Sequence, residues 1–266
     1  MITGPGRGRS RHTGYRAGVA ADGRRHIVAF GGLPWRDEPD SAYQPFWAYL
    51  CSLTGRPRPR ICLLATGCGD DPAVLARMHD RFAAAPAEVS HLALFPMPNV
   101  ADPADFLLSQ DVVFVGGGSV ANMLAVWRVH GLGTILRSAW QAGVVLAGVS
   151  AGAICWFEAG TTDSFGPALR PVTGGLGLLA GSYCPHYDSE PGRRPLFTAL
   201  VAAAELPPGI ACDDGAGAHF ADASLAEVVT GRDGAAGYRV VPDGSGGASH
   251  QRLPARPLTA GPGATA

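Results

Sequence analysis

Charged side chains are scarce in this sequence. They make up 16% of its 266 residues, and the formal net charge at neutral pH is -1. A protein that binds nucleic acid or an anionic membrane ordinarily carries a basic surplus, so neither partner is expected. No apolar run approaches the length of about 20 residues that spans a bilayer, which excludes a membrane-spanning helix.

The sequence also lacks a C-x-x-C pair and a recognisable secretory signal. Its arginine-rich start has no apolar segment after the arginines, so we expect a cytoplasmic protein with reduced, mostly buried thiols. A metal site built from Cys184, His186, Asp188 and Cys212 would match no known zinc spacing, and none is expected. The six cysteines are Cys51, Cys62, Cys68, Cys155, Cys184 and Cys212.

Apolar residues make up 47% of the chain, and their runs alternate in character. Strand-like runs such as "HIVAFGG", "RICLLAT", "EVSHLALF", "DVVFVGGGS" and "VVLAGVS" are separated by helical patterns. The predicted helices cover residues 42–54, 71–85, 121–130 and 193–205. Continuous apolar strands alternating with helices indicate an α/β fold, in which a mostly parallel sheet lies between two helical layers.

Composition also divides the chain into three parts. Residues 26–243 are predicted to form a single catalytic α/β domain, and the short strands after residue 205 are predicted to extend its sheet, partly antiparallel. Residues 1–25 and 244–266 are rich in Gly with Arg or Pro, and we expect a disordered arm and a disordered tail.

One polar residue stands out in the stretch "VVLAGVSAGAICWF". Ser150 follows a strand-like run and has a glycine two residues away on each side, Gly148 and Gly152. This G-x-S-x-G pattern is typical of a nucleophile elbow, a sharp strand-to-helix turn that exposes the serine hydroxyl. The alternative is an ordinary strand-to-helix connection whose serine caps the helix.

A second glycine-rich turn, "VGGGS", also follows an apolar strand. In open α/β sheets ligands bind beyond the carboxyl ends of the strands, where both turns would lie. The backbone N–H groups of Gly118 and Ala151 would then flank Ser150 as donors to an oxyanion. A phosphate cradle is the alternative, but the stretch fits neither the dinucleotide-binding nor the Walker pattern.

A serine nucleophile needs a base and an acid that orients the base. Among the histidines, His186 lies on a short loop after Pro185, whereas His219 and His250 are alternatives later in the chain. The candidate acids are Asp163, Asp188, Asp213 and Asp214, of which the last two follow the apolar run "GIAC".

These motifs together resemble a known family. "FVGGGSVANMLAVWR", "AGVSAGAICWF", "CPHYD" and "DDGAGAHF", in this order, are similar to the dipeptidase E (aspartyl dipeptidase) family of serine peptidases, which is related to the cyanophycinases. The resemblance spans residues 27–241. It implies a class I glutamine-amidotransferase-like fold, in which a serine replaces the usual cysteine of the elbow, and it implies no cofactor.

The resemblance assigns roles to individual residues. It implies Ser150 as nucleophile, His186 as base, Asp214 at the position of the orienting acid, and Gly118 and Ala151 as backbone oxyanion donors. The family usually has a glutamate where this chain has Asp214, and Ser119 replaces a frequent asparagine. Asp163, in "TTDSFG", falls near an aspartate implicated in the family and is the second candidate for the acid or for a substrate contact.

The expected function is hydrolysis of small peptides, with dipeptides that begin with aspartate as the preference the family implies. That preference needs a cation, which Arg170, Arg193 or Arg194 would supply. One alternative is an esterase or amidase of the α/β-hydrolase type, whose acid precedes its histidine. Another is a non-catalytic small-molecule binder on the same fold. The expected partner is a small peptide, and the protein is expected to be a monomer or a homodimer.

Overall fold

The computed structural model of the chain describes residues 20, 22–33, 39–83 and 85–259. Within these ranges the helices are α1 (Gln44–Leu53), α2 (Pro72–Phe82), α3 (Pro103–Leu108), α4 (Val120–His130), α5 (Leu132–Gln141), α6 (Ala151–Ile154) and α7 (Arg193–Ala202). Short 3-10 turns cover Asp40–Tyr43 and Thr66–Cys68.

The strands within the same ranges are β1 (His26–Phe30), β2 (Arg60–Leu64), β3 (Glu88–Leu92), β4 (Val112–Val115), β5 (Val145–Val149), β6 (Phe157–Thr162), β7 (Arg170–Thr173), β8 (Leu179–Cys184), β9 (Gly209–Cys212), β10 (Ala216–Ala221), β11 (Ser224–Thr230), β12 (Gly237–Pro242), β13 (Ala248–Leu253) and β14 (Ala255–Pro257).

The first sheet contains the strands that the sequence predicts most clearly. Its order is β14-β11-β10-β1-β5-β4-β2-β3. The strands from β1 to β3 in this order are parallel, whereas β10 pairs antiparallel with β1. Because β5 lies between β1 and β4, the residues that follow these three strands meet at one edge of the sheet.

A second sheet carries the strands of the chain's later part, in the order β13-β12-β9-β8-β6-β7. Strand β8 pairs parallel with β6 and with β9, so the residues after β8 and β9 also leave the sheet on the same side. The buried hydroxyl of Tyr183 on β8 donates a hydrogen bond of 2.9 Å to the carbonyl oxygen of Ala29 on β1, which ties the two sheets together.

Packing on the two faces of the first sheet creates the layers. Apolar side chains of alternating strand positions bury against α1 on one face, where Trp47 stacks on Phe82 with ring centroids 3.8 Å apart. The opposite face packs against α4, α5 and the second sheet, and α7 covers the far side of that sheet. The expected α/β fold, with a mostly parallel sheet and helices on both faces, is thus confirmed.

Local sequence signals explain where several elements begin. Helix α2 starts at Pro72 because the Asp71 side chain accepts hydrogen bonds from the amides of Ala73 and Val74, at 2.8 and 3.1 Å. Helix α4 starts after Ser119, whose hydroxyl accepts from the Asn122 amide at 3.2 Å. None of the described helices is long and apolar enough to cross a membrane.

The later strands differ from the expected simple extension of one sheet. Strands β10 and β11 do extend the first sheet, but β9 and β12 belong to the second sheet. Strands β6, β7 and β8 and helices α3 and α5 were not predicted. These three strands contain Gly160, Pro171 and Gly181, respectively, which interrupt the apolar pattern.

The predicted disordered tail, residues 244–266, is corrected in part. Strand β13 pairs with β12 over six residues, and β14 pairs with β11. The His250 side chain contacts the Tyr187 hydroxyl and the Thr198 hydroxyl, at 2.5 and 3.0 Å, so this segment is held by side chains as well. Residues 1–19 and 21 of the predicted arm and residues 260–266 of the tail lie outside the described residues.

Removing residues 248–266 is expected to destabilise the protein, because the edge of β12 and part of the core below α7 would be exposed. In a chain of this size each kcal/mol lost lowers Tm by about 2–4 °C, and we expect a drop on the order of 10 °C. Thermal denaturation followed by circular dichroism measures it. A truncation after Thr259 keeps both strands and is the control; equal melting of the two truncations would contradict the role of β13 and β14.

Candidate active site

Ser150 occupies a strained turn directly after β5. Its backbone angles are φ 55° and ψ -116°, a conformation that a residue with a side chain rarely adopts. Glycines on both sides are required by close packing: a Cβ on Gly148 would lie 2.1 Å from the Gly152 carbonyl oxygen, and one on Gly152 would lie 2.3 Å from the Val115 carbonyl oxygen. The geometry is that of a nucleophile elbow.

The glycine-rich turn after β4 lies next to this serine. A Cβ on Gly117 would be 3.9 Å from Ser150 Oγ, and Gly118 has φ 122° with the Gly67 carbonyl oxygen 2.3 Å from its Cβ position. Only glycine fits at position 118. Ala151 is the first residue of α6, so its amide has no partner within the helix. Ala151 thus follows Ser150 directly, and Gly118, the neighbour of Gly117, lines the same cavity as Ser150.

His186 lies within hydrogen-bond reach of the serine. It follows β8 and Pro185, and its Nε2 is 2.9 Å from Ser150 Oγ. Its backbone φ of 52° is also in the left-handed region, which turns the imidazole from the second sheet toward the first.

Asp214 contacts the other nitrogen of this imidazole, with 2.7 Å between its Oδ1 and His186 Nδ1. It follows β9, the parallel neighbour of β8, which explains why the two residues meet. With Nδ1–H donating to this carboxylate, Nε2 turns its lone pair to the Ser150 hydroxyl, which then donates. The three residues form a continuous hydrogen-bonded chain.

The backbone of Asp214 is fixed by a neighbouring ion pair. The Asp188 side chain accepts a hydrogen bond from the Asp214 amide at 2.9 Å, and Arg232 Nε donates to the Asp214 carbonyl oxygen at 2.8 Å. Arg232 also forms a salt bridge with Asp188. Asp188, a candidate acid, thus holds the backbone of Asp214 in place.

Electrostatics favour an ionised Asp214. Burial acts to raise the pKa of this carboxyl, but the hydrogen bond and charge of His186, with the charge of Arg232, outweigh burial and hold the pKa below its usual value. The carboxylate therefore stays charged at neutral pH. Its stabilising interactions are present above the ordinary pKa of an aspartate and are lost as the pH falls through the lowered value.

The other candidate acids lie elsewhere. Asp213 is buried and its Oδ2 accepts from the Ala236 amide at 2.9 Å, and burial raises the pKa of this carboxyl. Asp163 is exposed in the turn after β6. The hydroxyl of the adjacent Ser164 lies 3.5 Å from the Ala121 amide at the start of α4, so this turn lies near the helix that follows the Gly118 turn.

The later histidines do not reach Ser150. His219 Nε2 is 2.8 Å from His26 Nδ1, and its Nδ1 is 2.7 Å from the Tyr49 hydroxyl. His250 contacts Tyr187 and Thr198. The serine–acid–histidine order of the esterase or amidase alternative is therefore not assembled.

The arginines proposed for substrate recognition differ in their placement. Arg170 is exposed at the start of β7. Arg193 is buried, and its guanidinium donates to Glu190 Oε2 at 2.7 Å and to the Thr161 carbonyl oxygen at 2.6 Å. The expected direct substrate contact of Arg193 is therefore corrected, because both of these bonds engage it within the protein. Arg194 lies over the Tyr187 ring, 4.6 Å from its centroid.

A cavity of about 430 Å³ opens beside Ser150 and His186. Its walls are mainly apolar and come from α1, α2 and β4, including Trp47, Phe82 and Phe114. Arg77 and Arg81 of α2 also line it. A cavity of this size suits a small ligand. Within the described part of the chain, no three His, Cys, Asp or Glu residues are grouped to hold a metal ion.

Gly32 was missed in the sequence, although it shapes the site directly. It follows β1 and forms a β-bridge with Asp214. A Cβ at this position would lie 1.9 Å from Asp214 Oδ1 and 3.0 Å from His186 Nδ1, inside the hydrogen bond of the pair. The available signal was the double glycine that ends "HIVAFGG", but no local pattern indicates which residue it approaches.

The chain is similar to several known proteins. A family model described as peptidase family S51 matches residues 39–228. The uncharacterized peptidase YgaJ of Bacillus subtilis (strain 168) is 44% identical over 217 residues, which cover 82% of this chain and 92% of that protein. The crystal structure of a peptidase from an acI-B1 actinobacterium aligns with a TM-score of 0.59 at 14% identity, covering 87% of this chain and 95% of that one. The fold is consistent with the class I glutamine-amidotransferase-like one that the family resemblance implies.

Replacing Gly32 with alanine is expected to lower kcat/KM for peptide hydrolysis by about 100-fold or more, because the new methyl group displaces the Asp214 carboxylate from His186, and misplacement of about 1 Å alone can cost 100-fold. Steady-state kinetics measures the loss. The control is Gly133→Ala in α5, where a Cβ would meet only the end of the Leu176 side chain, at 2.9 Å. Full activity in a folded Gly32→Ala variant would contradict this role of Gly32.

Proposed function

Because this chain belongs to peptidase family S51, the dipeptidase E family, it is a peptidase, and we propose that it hydrolyses small peptides through an acyl-enzyme on Ser150. The observation that carries the proposal is the hydrogen-bonded chain Ser150–His186–Asp214, with distances of 2.9 and 2.7 Å, at a strained elbow. A base within such a distance of a serine hydroxyl is what nucleophilic catalysis requires.

The proposed reaction proceeds in two halves. His186 Nε2 takes the Ser150 proton as Oγ attacks the peptide carbonyl carbon, and the carbonyl oxygen becomes an oxyanion that accepts hydrogen bonds from the Gly118 and Ala151 amides. The imidazolium then donates its proton to the leaving amine. In the second half, His186 takes a proton from water, the resulting hydroxide attacks the acyl carbon, and Ser150 is released with its proton restored.

Asp214 has a positional and an electrostatic role in this proposal. It keeps the proton of the neutral imidazole on Nδ1 and stabilises the imidazolium that forms after proton transfer. The lowered pKa of Asp214 supports this role, because the residue is then a carboxylate at neutral pH.

The cavity supports a small peptide as the substrate, since about 430 Å³ accommodates one or two residues and not a folded protein. The preference for N-terminal aspartate is kept as part of the proposal. Arg77 and Arg81 line the cavity and would supply the positive charge that this preference needs, which the resemblance implied for Arg170 and Arg193. We also propose a cytoplasmic location, which the free state of all six cysteines supports.

Replacing Ser150 with alanine is expected to reduce peptide hydrolysis by at least about 1,000-fold, because the attacking oxygen is removed. The same change should abolish labelling by a fluorophosphonate probe. Ser109→Ala is the control, since its hydroxyl bonds neighbours at the end of α3, donating to the Phe106 carbonyl oxygen at 2.8 Å and accepting from Gln110 Nε2 at 3.1 Å. Retained turnover in folded Ser150→Ala would exclude the serine mechanism, and an unlabelled, inactive parent would favour the non-catalytic binder.

The two candidate acids are separated by matched amide substitutions. Asp214→Asn should lower kcat by about 10³–10⁴-fold with little change in KM, because the amide no longer stabilises the imidazolium or its tautomer. Asp163→Asn should act mainly on KM, since Asp163 is exposed and lies on a turn near the site. Kinetics over a range of substrate concentrations separates the two effects. The opposite result, a kcat loss only in Asp163→Asn, would reverse the assignment.

A further inference from the structure

A carboxylate lies beside the reacting nitrogen of His186 that the proposed mechanism does not use. Glu190 Oε1 is 4.0 Å from His186 Nε2, the same atom that lies 2.9 Å from Ser150 Oγ. The Glu190 side chain is 37% exposed, so it is open to a ligand at the catalytic pair. Among the described residues, its Oε1 accepts no hydrogen bond, while its Oε2 is engaged by Arg193.

The position of this carboxylate is fixed from behind. Arg193 is 2% exposed, and its guanidinium bonds both Glu190 Oε2 and the Thr161 carbonyl oxygen of β6. The Glu190 amide donates to the His186 carbonyl oxygen at 3.1 Å, and the Arg193 amide donates to the Glu190 carbonyl oxygen at 2.9 Å. Burying a guanidinium is unfavourable unless it is paired. The segment from His186 to Arg193 therefore holds Glu190 in one place and leaves its Oε1 available to a ligand.

A ligand group that fits this oxygen must be cationic and close to the attacked carbon. In a peptide with a free amino terminus, the α-nitrogen lies two bonds, or about 2.5 Å, from the first carbonyl carbon. A carboxylate–ammonium hydrogen bond spans about 2.7–2.9 Å. With the carbonyl carbon in contact with Ser150 Oγ, the α-ammonium group reaches the space between Oγ and Glu190 Oε1.

We propose that Glu190 binds the free α-ammonium group of the substrate's first residue, so that the enzyme cleaves only the first peptide bond of a short peptide. Arg193 is then a positioning residue that acts through Glu190. This inference rests on the proposed serine mechanism. A peptide with a blocked amino terminus loses the ion pair and leaves the Glu190 carboxylate facing an uncharged amide.

The test compares Glu190→Gln with the parent on paired substrates, aspartyl p-nitroanilide and its N-acetyl form, with the alanyl pair in parallel. The parent should prefer the free-amine form. The variant should lose about 10–100-fold in kcat/KM on the free-amine form, chiefly through KM, as expected for one lost charge-assisted hydrogen bond. Its rate on the N-acetyl form should not change.

Glu88→Gln is the control, since Glu88 also pairs with arginines, Arg58 and Arg60, but lies on β3.

Two outcomes would overturn the proposal. In the first, Glu190→Gln loses kcat/KM equally on the free-amine and N-acetyl forms, which would mean that Glu190 acts on His186 instead. In the second, the parent cleaves the free-amine and N-acetyl forms equally well. Fluorophosphonate labelling separates these from failure of the serine mechanism, because the parent and Glu190→Gln are labelled equally if only the role of Glu190 is wrong. Should Glu190→Gln misfold, Glu190→Asp keeps the charge but withdraws the carboxylate by one methylene group, and the same selective loss on the free-amine form is expected.

Discussion

The site depends on the close approach of Gly31 and Gly32, which follow β1 in the first sheet, to the backbone of the second sheet. Ser150 extends from the first sheet, whereas His186 and Asp214 extend from the second. The sheets meet where the Gly215 amide donates to the Gly32 carbonyl oxygen at 2.8 Å. A Cβ on Gly31 would lie 2.3 Å from the Cys212 carbonyl oxygen, so side chains at this contact would separate the sheets. The distance between nucleophile and base is thus set by backbone packing.

Both residues that exchange a proton in the proposed reaction have a strained backbone. Ser150 and His186 have φ values of 55° and 52°, and such a conformation costs about 1–3 kcal/mol for each residue with a side chain. Local hydrogen bonds offset this cost: the Ser150 amide donates to the Phe30 carbonyl oxygen at 3.2 Å, and the Tyr187 amide donates to the Cys212 carbonyl oxygen at 3.1 Å. The first bond joins Ser150 to the end of β1, and the second joins Tyr187, the neighbour of His186, to the end of β9.

Sequence patterns predicted the parts of this structure that depend on local periodicity. Strands β1, β2, β4 and β5 are continuous apolar runs buried on both faces, and Ser150 lies in a five-residue motif with a known backbone shape. Strand β13 was missed because its polar residues are half exposed and it pairs only with β12. Gly32 and Glu190 were missed for a related reason. The roles proposed for them depend on contacts across the fold, with only the spacing His186–Glu190–Arg193 as a local sign.

The aspartate at the third position of the site is explained by the same backbone packing. The family resemblance implies a glutamate there, one methylene group longer, and the shorter aspartate reaches His186 only if its backbone lies closer. The β-bridge between Gly32 and Asp214 supplies that approach, since Oδ1 occupies the volume in which a Gly32 side chain would lie. Asp188 and Arg232 hold the Asp214 backbone at this point. Gly32, Asp214 and the Asp188–Arg232 pair therefore act as one unit, and lengthening Asp214 to glutamate would require the bridge to open.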